Sequence, residues 1–182
     1  MSELLVEARP YSVEHFHSGE NLELADETVA EVFRTLLGFT AEALSASDPH
    51  GVAERQNGRT AIVGFSGAIR GYCGVRLSSP AARAIASAML GGMDIDEDDD
   101  SIDDGVGEIC NMIAGGWKNR IPELSSRCSL SPPTVISGRD YKIHTVKPSA
   151  TVERVYKFDG HTLRVVLDYE QRSADVGDLS AR

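Results

Sequence analysis

Basic residues are scarce in this sequence. Eighteen Lys and Arg stand against 28 Asp and Glu, a formal net charge of −10 over 182 residues. Nucleic acid rewards a basic face, so it is not the expected partner. An anionic membrane surface is disfavoured for the same reason. Long apolar runs are missing too. The longest stretch without Asp, Glu, Lys or Arg is Cys128 to Gly138, 11 residues, whereas a membrane-spanning helix needs about 20 largely apolar ones. The opening residues, Met1 to Glu7, hold neither a basic n-region nor an apolar stretch, so no signal peptide is expected. Cysteine is rare. Cys73, Cys110 and Cys128 are odd in number and widely spaced, which reads as reduced thiols in a cytoplasmic protein. The five histidines are scattered, with no HExxH or Cys-His spacing, so no zinc site is expected. There is no phosphate loop and no GxSxG elbow. The 41% hydrophobic content nonetheless suffices for a core and excludes global disorder.

The patterning divides the chain into an N-terminal extension (1–21), one domain (22–170) and a polar C-terminal tail (171–182). A helix is expected from Leu24 to Leu44, because Val29, Phe33, Leu36, Leu37, Thr40 and Leu44 recur at three and four. Asp26 and Glu27 would lie near its positive end. Asp48-Pro49-His50-Gly51 then breaks the chain. Residues 60–78 read as a hairpin turning at Ser66-Gly67. Its glycines, Gly64, Gly67, Gly71 and Gly74, imply a bulge or the close approach of another backbone. Ser79-Pro80 opens a second helix that Gly91-Gly92 closes. A third runs from Ile102 to Ile121, with Ser101 and Asp104 resembling a capping box and Pro122 as the stop. Ser126 to Ser137 reads as one extended segment interrupted by Pro132-Pro133. Alternating residues from Ala150 to Phe158 and from Leu163 to Tyr169 flank Asp159-Gly160, a two-residue hairpin turn. This order argues for an α+β, two-layer domain: a largely antiparallel sheet packed with helices.

The third helix carries the most information. Val106, Ile109, Cys110, Ile113 and Trp117 form an apolar stripe that should face the sheet. Cys110 and Trp117 are therefore expected in the core. The opposite stripe is Asp104, Glu108, Asn111, Gly115 and Lys118. It places a carboxylate and a carboxamide one turn apart on one side. Gly115 there would let a partner approach the helix backbone. Mid-helix glycines each cost about 1 kcal/mol relative to Ala, so something other than helix stability should favour them. By pattern alone this face is an ordinary solvated one.

Asp104-x-x-x-Glu108-x-x-Asn111 resembles the [DS]xxxExxN signature of the CheC–CheX–FliY chemotaxis phosphatases. The setting is similar as well: a hairpin like 62–71, then a helix like 81–92, precede the ExxN helix. Ala30 and Arg34 stand where a second site in the first helix would need Asn, so the chain resembles the single-site CheX branch. Thr134 stands where the family pattern places a Pro, with Pro132 and Pro133 just before it.

The resemblance implies a phosphatase acting on the phospho-aspartate of a CheY-like receiver. Asn111 would orient the attacking water, for which a carboxamide suits because it both donates and accepts without changing charge. Glu108 would pair with the receiver's lysine. Asp104, Gly115 and Lys118 would be docking contacts. Mg²⁺ would be held by the receiver's own acids, leaving this chain without a cofactor of its own, and a homodimer would form by joining sheet edges. A non-catalytic receiver-binding module and an interaction domain regulated by its acidic loop are the alternatives.

That loop puts eight acids within 11 residues, Asp94 to Asp104. Asp94, Asp96 and Asp98 match an EF-hand's first ligands, but Asp99 and Gly105 occupy the positions of its Gly and Glu. A solvated loop whose field tunes receiver docking is the expectation.

Overall fold

The computed structural model describes residues 20–45, 58–97, 99–138 and 150–171. Helix α1 (Glu20–Val32) runs into a π-helical turn, Phe33–Leu37, and a two-residue strand β1 (Glu42–Ala43). The hairpin β2 (Gly58–Gly67) and β3 (Ile69–Ser78) leads into α2 (Ser79–Met89). The long helix α3 (Asp100–Asn119) and the short α4 (Pro122–Arg127) follow. The chain then forms β4 (Cys128–Leu130), β5 (Thr134–Gly138), β6 (Ala150–Phe158) and β7 (His161–Gln171). Every strand pairing is antiparallel, in the order β1-β6-β7-β3-β2-β4, with β5 also on the outer side of β2. The expected α+β layering is present.

Alternation sets the layers. Ala61, Val63 and Phe65 of β2, Cys73, Val75 and Leu77 of β3, and Leu163, Val165, Leu167 and Tyr169 of β7 are all buried. With a period of two they share one sheet face. Against that face α3 lays Val106, Ile109, Cys110, Ile113 and Trp117, each at most 1% exposed. The expected stripe is the core stripe. Full burial of each such side chain is worth about 1.5–3 kcal/mol. Trp117 sits between Phe65 and Tyr169, with ring centroids 5.5 and 5.4 Å away. The Cys110 thiol lies 3.5 Å from the carbonyls of Ala61 and Cys73. That neighbouring thiol, together with burial, pushes the Cys73 thiol well up. All three cysteines are free and buried.

The first helix departs from expectation. It begins earlier, at Glu20, and regular α geometry stops at Val32. The π turn and Gly38, at φ +71°, end it well short of Leu44. Gly38 and Phe39 both donate to the Phe33 carbonyl, a left-handed closure that suits glycine. The wider turn takes Leu36 to the surface and keeps Leu37 buried. Asp26 is consequently mid-helix. Rather than serving the helix dipole, it accepts from Arg154 at 2.6 Å and from the Tyr156 hydroxyl at 2.8 Å, pinning α1 to β6.

Other boundaries shift by a residue or more. The hairpin turns just after Gly67, with Phe65 opposite Gly71. Gly67 has φ +113°, and a Cβ there would lie 2.2 Å from the Arg127 carbonyl. A Cβ on Gly71 would lie 2.0 Å from that of Asp168. Both are the close approaches expected of this hairpin. Ser78, not Ser79, caps α2. Asp99, not Ser101, caps α3, accepting from the Ser101 N–H at 2.8 Å. The Ser101 hydroxyl and this amide hold the Asp99 carboxyl below its usual range. Ser126 and Arg127 belong to α4 rather than to an extended segment. Pro132-Pro133 does separate β4 from β5. Ser131 bridges the gap, its N–H donating to the Gly64 carbonyl and its hydroxyl accepting from the Gly64 N–H. The β6–β7 hairpin matches expectation, with Asp159 and Gly160 at φ +41° and +76°. Residues 48–51, the proposed chain break, lie outside the described residues.

Candidate functional site

The site is the outward side of α3. Since the apolar stripe is spent on the sheet, residues three and four apart on the other side must face out. Asp104 and Glu108 are exposed and Asn111 is half-buried. Among the described residues, none of the three side chains has a hydrogen bond or ion pair within the chain. The Glu108–Asn111 pair is thus free to engage a partner.

Beside it lies an open cleft of about 630 Å³. Glu108 and Asp104 line it from α3, Met89 and Leu90 from the C-terminal end of α2, and Pro133 and Val135 from the entry and start of β5. Two helix glycines let these walls come near. A Cβ on Gly105 would lie 3.3 Å from Ala86, and one on Gly107 would lie 3.4 Å from Pro133 and Val135. Pro132 and Pro133 immediately precede β5, and Pro133 is the one that reaches the cleft.

The remaining stripe residues behave differently. Gly115 is half-buried, and a Cβ there would meet Leu130 alone, at 3.8 Å. The Lys118 ammonium donates to the Ser125 carbonyl at 2.8 Å and to Asn119 Oδ1 at 3.0 Å. In the free chain it therefore secures α4 at the end of α3. Gly116 faces α1, where a Cβ would come within 2.9 Å of the Thr28 methyl.

A network absent from the sequence reading holds the first turns of α3. Asp103 receives Arg59 of β2 at 2.5 Å, and both of its oxygens accept from Ser137 of β5. Arg59 also donates to Ser79 of α2 and to the Glu97 carbonyl in the acidic loop. Strand, helix and loop therefore meet on one guanidinium. Arg59 lies 44 residues from Asp103, and no local pattern joins them. Among the described residues, no group of three or more His, Cys, Asp or Glu is arranged to hold a metal ion.

The chain is an α+β domain whose long helix packs its apolar stripe on the sheet and carries an unengaged carboxylate–carboxamide pair on its outer side, with an open cleft beside it. Comparison with known proteins gives its family. A family model described as chemotaxis phosphatase CheX matches residues 59–156. The CheY-P phosphatase CheX of Thermotoga maritima is 33% identical over 116 residues, 64% of this chain and 74% of that relative. The chemotaxis protein CheX of Desulfovibrio desulfuricans has a similar structure, with a TM-score of 0.67 and 26% identity over 83% of this chain and 99% of that one. A chain of the CheX–CheY–BeF3–Mg complex from Borrelia burgdorferi shares the fold, with a TM-score of 0.62 and 21% identity over 83% and 98% of the two chains. The chain belongs to the chemotaxis phosphatase CheX family.

Proposed function

We propose that this chain hydrolyses the aspartyl phosphate of a CheY-like receiver, using Glu108 and Asn111. The supporting observation is that both side chains stand on the outer side of a rigidly packed helix with no partner among the described residues. The family adds that a relative of this chain is a CheY-P phosphatase. Asn111 enters the receiver's site and holds a water in line with the P–O bond. The water oxygen bonds to phosphorus as the bond to the aspartate carboxylate breaks, and inorganic phosphate carries away the water's protons. A carboxamide serves this role by accepting from the water and donating to the phosphoryl oxygens. Catalysis is then positioning and electrostatics, the usual demands of phosphoryl transfer. Glu108 pairs with the receiver's lysine and fixes the register. The receiver's acids hold Mg²⁺, and Asp104, Gly115 and Lys118 contribute to docking.

The working form is a cytoplasmic homodimer joined through sheet edges. Buried free thiols and the absence of any described helix long and apolar enough to cross a membrane are consistent with the first part. For the second, the described residues that meet the outer edge of β6 are β1, opposite Tyr156 and Lys157, and Leu44, whose N–H donates to the Val155 carbonyl. The opposite edge is broken by Pro132-Pro133, which cannot donate to a ladder.

The test is the decay of phosphorylated receivers with and without this protein, alongside Asn111→Ala. We expect faster decay with the native chain and a loss of at least about 100-fold in the variant. Binding without acceleration would leave a docking module. Acceleration that survives Asn111→Ala would move the chemistry elsewhere.

A further inference from the structure

Resting on the receiver as partner, we infer that the cleft between α2 and β5 is a second contact. It takes a receiver surface segment in which a large apolar side chain sits beside a lysine or arginine. Three observations carry this. The cleft has apolar walls, Met89 and Leu90 on one side and Pro133 and Val135 on the other. Leu90 is 40% exposed, as is Met112, one turn past Glu108. Large apolar groups left open beside an unengaged polar pair mark a binding surface more than a solvated one. The charge is of one sign. Asp104 and Glu108 line the cleft with no cation against either among the described residues. The exposed Asp94, Asp96, Glu97, Asp99 and Asp100 lead into α3. A cationic flank on the partner is the complement to that field, and an apolar residue the complement to the walls. The cleft is also held open by construction. Gly105 and Gly107 bring both walls against α3, while the Arg59–Asp103–Ser137 network anchors the helix turn below them. Glu108 and Asn111 thus supply register and chemistry, and the cleft supplies a preference among receivers.

The experiment measures two quantities on the full chain: affinity for beryllofluoride- and Mg²⁺-loaded receivers of the same organism, and the rate of decay of the phosphorylated ones. The variants are Leu90→Gln, at a position already exposed, and Asp104→Asn. Leu90→Gln should weaken binding and raise KM about tenfold with kcat unchanged. Asp104→Asn should flatten the fall of affinity with salt. Native affinity and native salt dependence in both variants would overturn the cleft as a contact, as would a loss confined to kcat. Decay that stays slow while binding depends on both Leu90 and Val135 would refute the phosphatase reading and uphold the cleft. A third variant, Val135→Gln on the opposite wall, separates a local effect on α2 from loss of the contact. Loss in both walls supports the inference, and loss at Leu90 alone overturns it.

Discussion

Gly115 and Gly116 are adjacent in α3, yet alanine should move stability in opposite directions at the two positions. Helical propensity favours Ala over Gly by about 0.5–1 kcal/mol in a helix interior. At Gly115 the new methyl meets only Leu130, at an ordinary 3.8 Å, so the whole gain should appear. At Gly116 it falls 2.9 Å from the Thr28 methyl, inside any real contact. Thr28 is fully buried and its hydroxyl donates to the Leu24 carbonyl at 2.6 Å, so it cannot rotate aside without losing that bond. Overpacking of this kind costs about 1–3 kcal/mol. Set against the propensity gain, the net is a loss of about 1 kcal/mol and a gap of about 2 kcal/mol between the two variants. Urea unfolding at one protein concentration measures both. Thr28→Ser deletes the offending methyl and keeps the hydroxyl, so the Gly116→Ala/Thr28→Ser pair should recover the overpacking cost, about 2 kcal/mol, relative to the sum of the singles. Equal stability of the two alanine variants, or strict additivity with Thr28→Ser, would refute the packing argument. Gly115→Ala carries a further expectation from the proposed docking role: it should be more stable but raise KM for the receiver, because it thickens the stripe proposed to meet it.

The ion pair at the foot of α3 and the buried tyrosines give further tests. Arg59→Met should destabilise by about 1–2 kcal/mol. The full value of a charge-assisted bond is discounted because the Asp103 side chain is 44% exposed, against 13% for Arg59. Asp103→Asn should add little on top of it in urea unfolding, whereas additive losses would show that the two residues act separately. Burial pushes the Tyr169 hydroxyl up to about 12, against the contrary pull of Asn21. The folded state thus holds that proton more tightly than the unfolded chain, with its ordinary value of about 10. The associated stability is complete below pH ~10 and is lost as pH rises towards about 12, up to about 3 kcal/mol in all. Tyr156, raised by burial and by Asp26, adds to the same fall. Tyr169→Phe should make the alkaline decline shallower, and an unchanged slope would contradict the assignment.

The periodicities were legible from the residues because they are local. A 3.6-residue stripe from Val106 to Trp117 can be buried on only one side, so Glu108 and Asn111 had to emerge on the other. Alternation from Val152 to Tyr169 around Asp159-Gly160 permits little besides a hairpin. Element ends were less legible. Around Asp99, Asp100, Ser101, Asp103 and Asp104 several side chains can cap a helix, and which one does depends on where Arg59 holds Asp103. The stripe from Val29 to Leu44 ran past Gly38 because hydropathy does not register a left-handed closure. Six-residue α4 was too short to show a period. The cleft was not legible at all. Its walls come from Leu90 and Pro133, which are distant in sequence and line one cleft because the end of α2 and the segment entering β5 pack against Gly105 and Gly107. The chain's own pattern determined which face of α3 is free. Tertiary packing decided what stands beside that face, because contacts between distant segments are set by how whole elements fill the space over the sheet.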